Sequence, residues 1–113
     1  MFNGAHTVIY SNNAEADRAV LRDVVGLSHV DVGGGWLIFA LPDSEIAVHP
    51  HQTSTKHEFF FMCEDISETH QKLTDAGLQT SPVKDEGFGL MSSFTLPGGS
   101  EIGFYQPRHE RPK

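Results

Sequence analysis

Apolar positions along this chain fall into two alternating rhythms, and their order is written twice. Residues 6–27, HTVIYSNNAEADRAVLRDVVGL, and residues 57–78, HEFFFMCEDISETHQKLTDAGL, are equal in length and both run from His to Gly-Leu. Each opens on a β-branched or aromatic run, Val8–Ile9–Tyr10 or Phe59–Phe60–Phe61, which predicts a strand because such side chains pack well on a pleated surface. Each then changes to helical spacing. Asn12 or Asn13 is the candidate cap of the first helix, with Val20, Leu21, Val24 and Val25 on its apolar side. Asp65, followed three residues on by Glu68, starts the second, with Ile66, Leu73 and Leu78 turned inward. Gly26 and Gly77 predict left-handed stops.

Three more strand-like pieces follow each helix. They are 29–33, 36–41 and 45–49 in the first half, divided by GGG and PDS, and roughly 79–84, 90–96 and 101–105 in the second, divided by DEGFG and PGGS. The likeness extends to LPDSEIAVHP at 41–50 and LPGGSEIGFYQP at 96–107. The half-repeat is therefore β-α-β-β-β. One such half leaves a sheet face uncovered, so two must pair. The expectation is a single α+β domain over 1–113, with module 1 at 4–50, a polar linker at 50–56, module 2 at 57–107 and a tail at 108–113. The glycine runs at 33–35 and 87–89 read as hairpin turns, since neither stands between a strand and a helix, where a phosphate loop belongs.

Strand alternation assigns the faces. Ile46 and Val48, like Ile102 and Phe104, should pack under the helices. Opposite them stand Glu45, Ala47 and His49 in one half and Glu101, Gly103 and Tyr105 in the other. His6, Val8 and Tyr10 share a face, as do His57, Phe59 and Phe61. Turned to the same side, these faces make a cup with aromatic walls and few polar groups, which describes a small-molecule pocket. Tyr10, Trp36, Glu45, Phe59, Phe61 and Tyr105 are its candidate ligand contacts, and His49 is a candidate general base or a rim residue that orients a ligand. Cys63 follows on the inward face without a cationic neighbour to activate it. His29, His51, His70 and His109 read as solvated, and the basic tail PRHERPK either crosses a partner subunit or extends freely.

Charge narrows the partners. Eight Lys and Arg against fifteen Asp and Glu give a formal charge of -7, and the cations stand singly. Nucleic acid and anionic membranes need a concentrated basic face, so the expected partner is a small molecule or a second copy. The N-terminus lacks the basic start and apolar run of a signal peptide, and no apolar stretch approaches the ~20 residues that span a bilayer. A single cysteine, Cys63, excludes an internal disulfide and fits a reducing cytoplasm.

The paired modules, the His that opens each (His6 and His57), the block HEFFFMCEDISETHQKLTDAGL and the ending LPGGSEIGFYQP together resemble the vicinal oxygen chelate superfamily. That superfamily holds glyoxalase I, type I extradiol dioxygenases, fosfomycin-resistance thiol transferases and bleomycin-binding proteins. The resemblance implies a cup-shaped, glyoxalase-like sheet and a homodimer in which His6 of one chain joins His57 and Glu101 of its neighbour. It also implies a divalent metal (Fe, Mn, Ni or Zn) held by His6, His57 and a carboxylate. A metal-dependent lyase, isomerase, transferase or ring-cleaving dioxygenase acting on a substrate with vicinal oxygens would follow, with Glu101 or His49 moving the proton. Aligned on that ending, however, Gly103 stands where the ligand glutamate belongs, with Ala47 its counterpart in the first half. Two readings stay open. Glu101, one pleat repeat earlier at roughly 6.5–7 Å, replaces the missing carboxylate; or the metal is lost and the chain binds a small, drug-like ligand without chemistry.

Overall fold

The structure, a computed structural model, describes residues 6–48, 50, 52 and 57–111. Its elements in chain order are α1 (Ala14–Val20), β1 (His29–Asp31), β2 (Leu37–Phe39), β3 (Phe60–Met62), α2 (Ile66–Asp75), β4 (Gln79–Thr80), β5 (Lys84–Asp85), β6 (Gly89–Thr95) and β7 (Glu101–Pro107). The second half has the expected order, with the piece foreseen at 79–84 split into β4 and β5. These strands form one five-stranded sheet ordered β3-β7-β6-β4, with β5 also pairing β6; β3 runs parallel to β7 and every other pair is antiparallel.

Helix α2 forms where its sequence signals stand. Asp65 is extended, and its side chain accepts the Glu68 N–H at 3.1 Å, satisfying a donor the first turn leaves open. The Ile66 N–H goes to Oε1 of Gln106 on β7, which ties the helix start to the sheet. Gly77, at φ 88°, ends the helix in the left-handed region glycine tolerates. The face so presented buries Ile66 and Leu73 against Phe94, Leu96, Ile102 and Phe104, the core of the molecule. Each such side chain contributes roughly 1.5–3 kcal/mol on leaving water.

The first half departs from the expectation. Helix α1 continues as one π turn over Leu21–Val25 and stops at Gly26 (φ 80°). Asn13 holds the cap position, but its side chain makes no capping bond. Val20 and Val25 pack on the second-half core, and Asp17, 5% exposed, accepts the Gly98 N–H at 2.7 Å. The helix is thus docked on the β6–β7 turn. β1 and β2 form a separate hairpin around the Gly33–Gly35 turn.

Two foreseen strands are absent from the described residues. Segments 6–10 and 45–48 join no sheet, and Ile46 and Val48, expected under the helices, are 94% and 95% exposed. β-branched composition favours extended backbone, but a strand also needs a neighbour to take its N–H and C=O groups, and neither segment has one here. The described part of the tail does not extend freely. Arg108 makes a two-pronged ion pair with Asp85, and Arg111 donates to the Asp43 carbonyl at 3.3 Å, so residues 108–111 are held by their own chain. Most of the linker lies outside the described residues.

Candidate functional site

Register fixes which side chains share the sheet face turned away from α2. Phe60 stands beside Gly103 and Gly103 beside Ser93; Met62 stands beside Tyr105 and Tyr105 beside Met91. Over this face lies a groove of about 550 Å³ with Phe60, Met91 and Gly103 on its floor and His57, Lys84, Glu86 and Glu101 at its rim. Strand phase on β3 is one residue off the expectation. Phe61, placed in the cup by the sequence, stacks instead on Phe94 in the core, with ring centroids 6.4 Å apart. Phe59 lines the groove but also packs on the core and against Phe61, edge to face at 5.0 Å. Phe60 takes the place foreseen for Phe61. Three consecutive phenylalanines carry no alternation, so their phase was not readable before the β3–β7 register was known.

Gly103 has a definite role in this floor. A Cβ there would lie 2.6 Å from Cε1 of Phe60 and closer still to its Cδ1, so the ring occupies the space where any side chain at 103 would begin. The ring meets Tyr105 edge-on at 5.9 Å, and Tyr105 meets Phe88 at 6.2 Å, so an aromatic row covers the strand beyond the glycine.

The donors foreseen for a metal do not converge. Among the described residues no three of His, Cys, Asp and Glu come together in a group able to hold an ion. Glu101 and His57 share the groove, whereas His6 is exposed and takes no part in it. One carboxylate oxygen of Glu101 is engaged by the Ser93 hydroxyl at 2.8 Å, and the position two residues on is closed by the Phe60 ring. These residues, as arranged in one chain, do not fit a metal centre.

The polar end of the groove was not foreseen. Ser81 Oγ accepts the Ser93 N–H at 2.8 Å, and Ser92 Oγ donates to the Ser81 carbonyl at 2.7 Å. From α2, outside the groove lining, His70, expected in solvent, places Nε2 at 2.9 Å from the same carbonyl, which as an acceptor requires the proton on that nitrogen. Serines in strands read as ordinary polar positions, and only the pairing of β4 and β5 with β6 gathers them.

Beside the groove, Tyr105 Oη lies 3.4 Å from Oε1 of Glu45 and 3.2 Å from Nε2 of His109, so Glu45 does reach the sheet. Burial, then the charge of Glu45, pushes the Tyr105 hydroxyl above its usual pKa. Burial likewise pushes the Cys63 thiol up, and its Sγ lies against the Tyr105 carbonyl on the core side, away from the groove. Tyr10 is 90% exposed and remote from the site; Trp36, 62% exposed, sits beyond the hairpin turn under Arg18, whose guanidinium is 5.2 Å from its ring. Neither lines the groove. His49 lies outside the described residues.

No protein-family model and no curated protein matches the chain. Solved structures do. A lactoylglutathione lyase from Agrobacterium tumefaciens aligns over 92% of both chains with a TM-score of 0.68 and 16% identity. TnmS3, an antibiotic binding protein from Streptomyces sp. CB03234, aligns over 95% of this chain and 99% of its own, with a TM-score of 0.65 and 20% identity. A glyoxylase/bleomycin resistance protein/dioxygenase domain from Frankia sp. EAN1pec aligns over 96% and 99%, with a TM-score of 0.62 and 14% identity. At such identities the likeness is one of fold. No helix of the described residues is long and apolar enough to cross a membrane.

Proposed function

From the premise that this chain has the glyoxalase/bleomycin resistance/dioxygenase fold of the vicinal oxygen chelate superfamily, we propose that it binds a small, partly aromatic molecule in the groove over its five-stranded sheet, without a resident metal. The observation that carries the reading is the Phe60 ring seated over Gly103. It turns the position where the superfamily places a ligand carboxylate into an aromatic floor, while the rim keeps polar groups that can orient a guest. The antibiotic-binding neighbour supports a binding role on this scaffold. The lyase neighbour keeps an enzyme in view as the alternative, since one scaffold serves many reactions.

The test has two arms. Amide shifts are followed while 2-naphthol, a small neutral aromatic probe, is added; those of Phe60, Ser93 and Gly103 should move together. Protein purified without chelators is assayed for metal and melted with Fe(II), Mn(II), Ni(II) and Zn(II). A stoichiometric ion that disappears in His57→Ala would overturn the metal-free reading in favour of an enzyme.

We further propose that the partner in solution is a second copy of the chain. Support comes from segments 6–10 and 45–48, which leave Val8, Tyr10, Ile46 and Val48 facing water without strand neighbours. Light scattering should give twice the chain mass, and Ile46→Asp should return it to one; a single-chain mass for the unaltered protein ends this reading.

A further inference from the structure

The groove also carries information about its guest. Ser93 has one hydroxyl proton and two acceptors in reach, Glu101 Oε1 at 2.8 Å and Ser81 Oγ at 3.0 Å. A carboxylate is the stronger acceptor, so the proton goes to Glu101. The Ser93 N–H is meanwhile donated to Ser81 Oγ, which holds the backbone of that pair in place. The result is a carboxylate fixed in direction from one side, with its other oxygen left for a donor arriving from the groove. A carboxylate accepts and does not donate, so this end of the groove recognises a hydrogen-bond donor. The charged lining has the same sense: Glu86 stands with Glu101 in the groove wall against the one cation Lys84 among the described lining residues.

The aromatic end lies at a known spacing. Phe60 pairs with Gly103, and Glu101 is two residues earlier on the same strand, one pleat repeat or roughly 6.5–7 Å away. Resting on the small-molecule reading above, we propose that the groove selects a planar aromatic molecule bearing a protonated amine, its ring on Phe60 and its ammonium on Glu101. The spacing suits an amine on a two-carbon arm. Ser93 acts as a positioning residue for Glu101.

Three probes of one shape separate the contributions: 2-(2-naphthyl)ethylamine, 2-(2-naphthyl)ethanol and 2-naphthylacetate, each titrated by amide shifts at pH 7. The amine should bind severalfold, up to about tenfold, more tightly than the acetate, with the alcohol between them, as expected of a charge-assisted hydrogen bond to an exposed carboxylate. Glu101→Gln should remove most of that preference, weakening the amine far more than the alcohol, and Ser93→Ala should shrink it severalfold. If acetate and alcohol bind as well as the amine, or the preference survives Glu101→Gln, selection by Glu101 is wrong and the pocket reading stands. If none of the three moves the groove amides, both are wrong.

Discussion

The ring of Phe60 on β3 lies against the backbone of Gly103 on β7, in the space a Cβ would need. Gly103→Ala should therefore destabilise the fold, although alanine is ordinarily better than glycine in a strand. Displacing a packed ring costs about 1–3 kcal/mol, measurable by urea denaturation. With Phe60→Ala already made the same substitution should cost little, and an unchanged cost in that background would disconnect the two residues.

A second contact of this kind holds α1 to the β6–β7 turn. Asp17 Oδ1 accepts the Gly98 N–H at 2.7 Å, its Oδ2 has no partner among the described residues, and Ser11 and Asp17 fill the space a Cβ at Gly98 would take. Asp17→Ala leaves a part-buried N–H unpaired and should cost about 1–3 kcal/mol. Hydrogen exchange should then quicken at Gly98 and along α1 while α2 stays protected. Uniform loss of protection would mean that α1 has no separate docking.

How much of this was legible in advance depends on where the information lay. α2 was written out locally: Asp65 and Gly77 act as read, whereas the Glu68 carboxylate pairs with Lys72 at 2.9 Å and only its N–H takes part in the cap. Ile102 and Phe104 alternate with polar neighbours, and both are buried. What failed needed knowledge of a partner strand. Segments 6–10 and 45–48 have strand composition but no neighbour, so Ile46 and Val48 stand in water. The site suffered the same way. Phe59–Phe61 gave no phase, and Ser81 and Ser93 meet only through β6 pairing. Glu101 and Tyr105 were placed on the outer face by alternation and are there, and Glu45 meets Tyr105 although its segment is no strand; of the five candidates only Glu101 lines the groove, which Glu45, Tyr105, Tyr10 and Trp36 do not.

Tyr105 provides a spectroscopic test of the contact between the halves. Burial and the charge of Glu45 raise its pKa. Because the raised value belongs to the folded state, this group's contribution to stability is whole below the unfolded tyrosine value near 10 and is lost as pH rises past it. In a Tyr10→Phe background Tyr105 is the single tyrosine. Its ultraviolet titration should shift downward in Glu45→Gln, because the carboxylate is gone. No shift would mean that Glu45 does not face the phenol in solution.

The tail should contribute modestly to stability in acid. Arg108 Nη1 and Nη2 meet the two oxygens of Asp85 at 2.6 and 2.8 Å, and the Gly87 N–H adds a bond at 2.9 Å. The Arg108 hydrogen bonds first, then that of Gly87, hold the Asp85 carboxyl down at about 2. An unfolded aspartate titrates near 3.9, so between that pH and about 2 the unfolded chain takes up a proton that the folded chain refuses. The stabilisation is therefore complete above pH ~4 and is lost as pH falls through about 2. Both partners are exposed, so the effect is modest and screened by salt. Urea midpoints between pH 5 and 2 should fall less steeply in Asp85→Asn than in the unaltered protein, and the difference should shrink in 1 M NaCl. Parallel curves for the two proteins would show that the ion pair does not hold the tail.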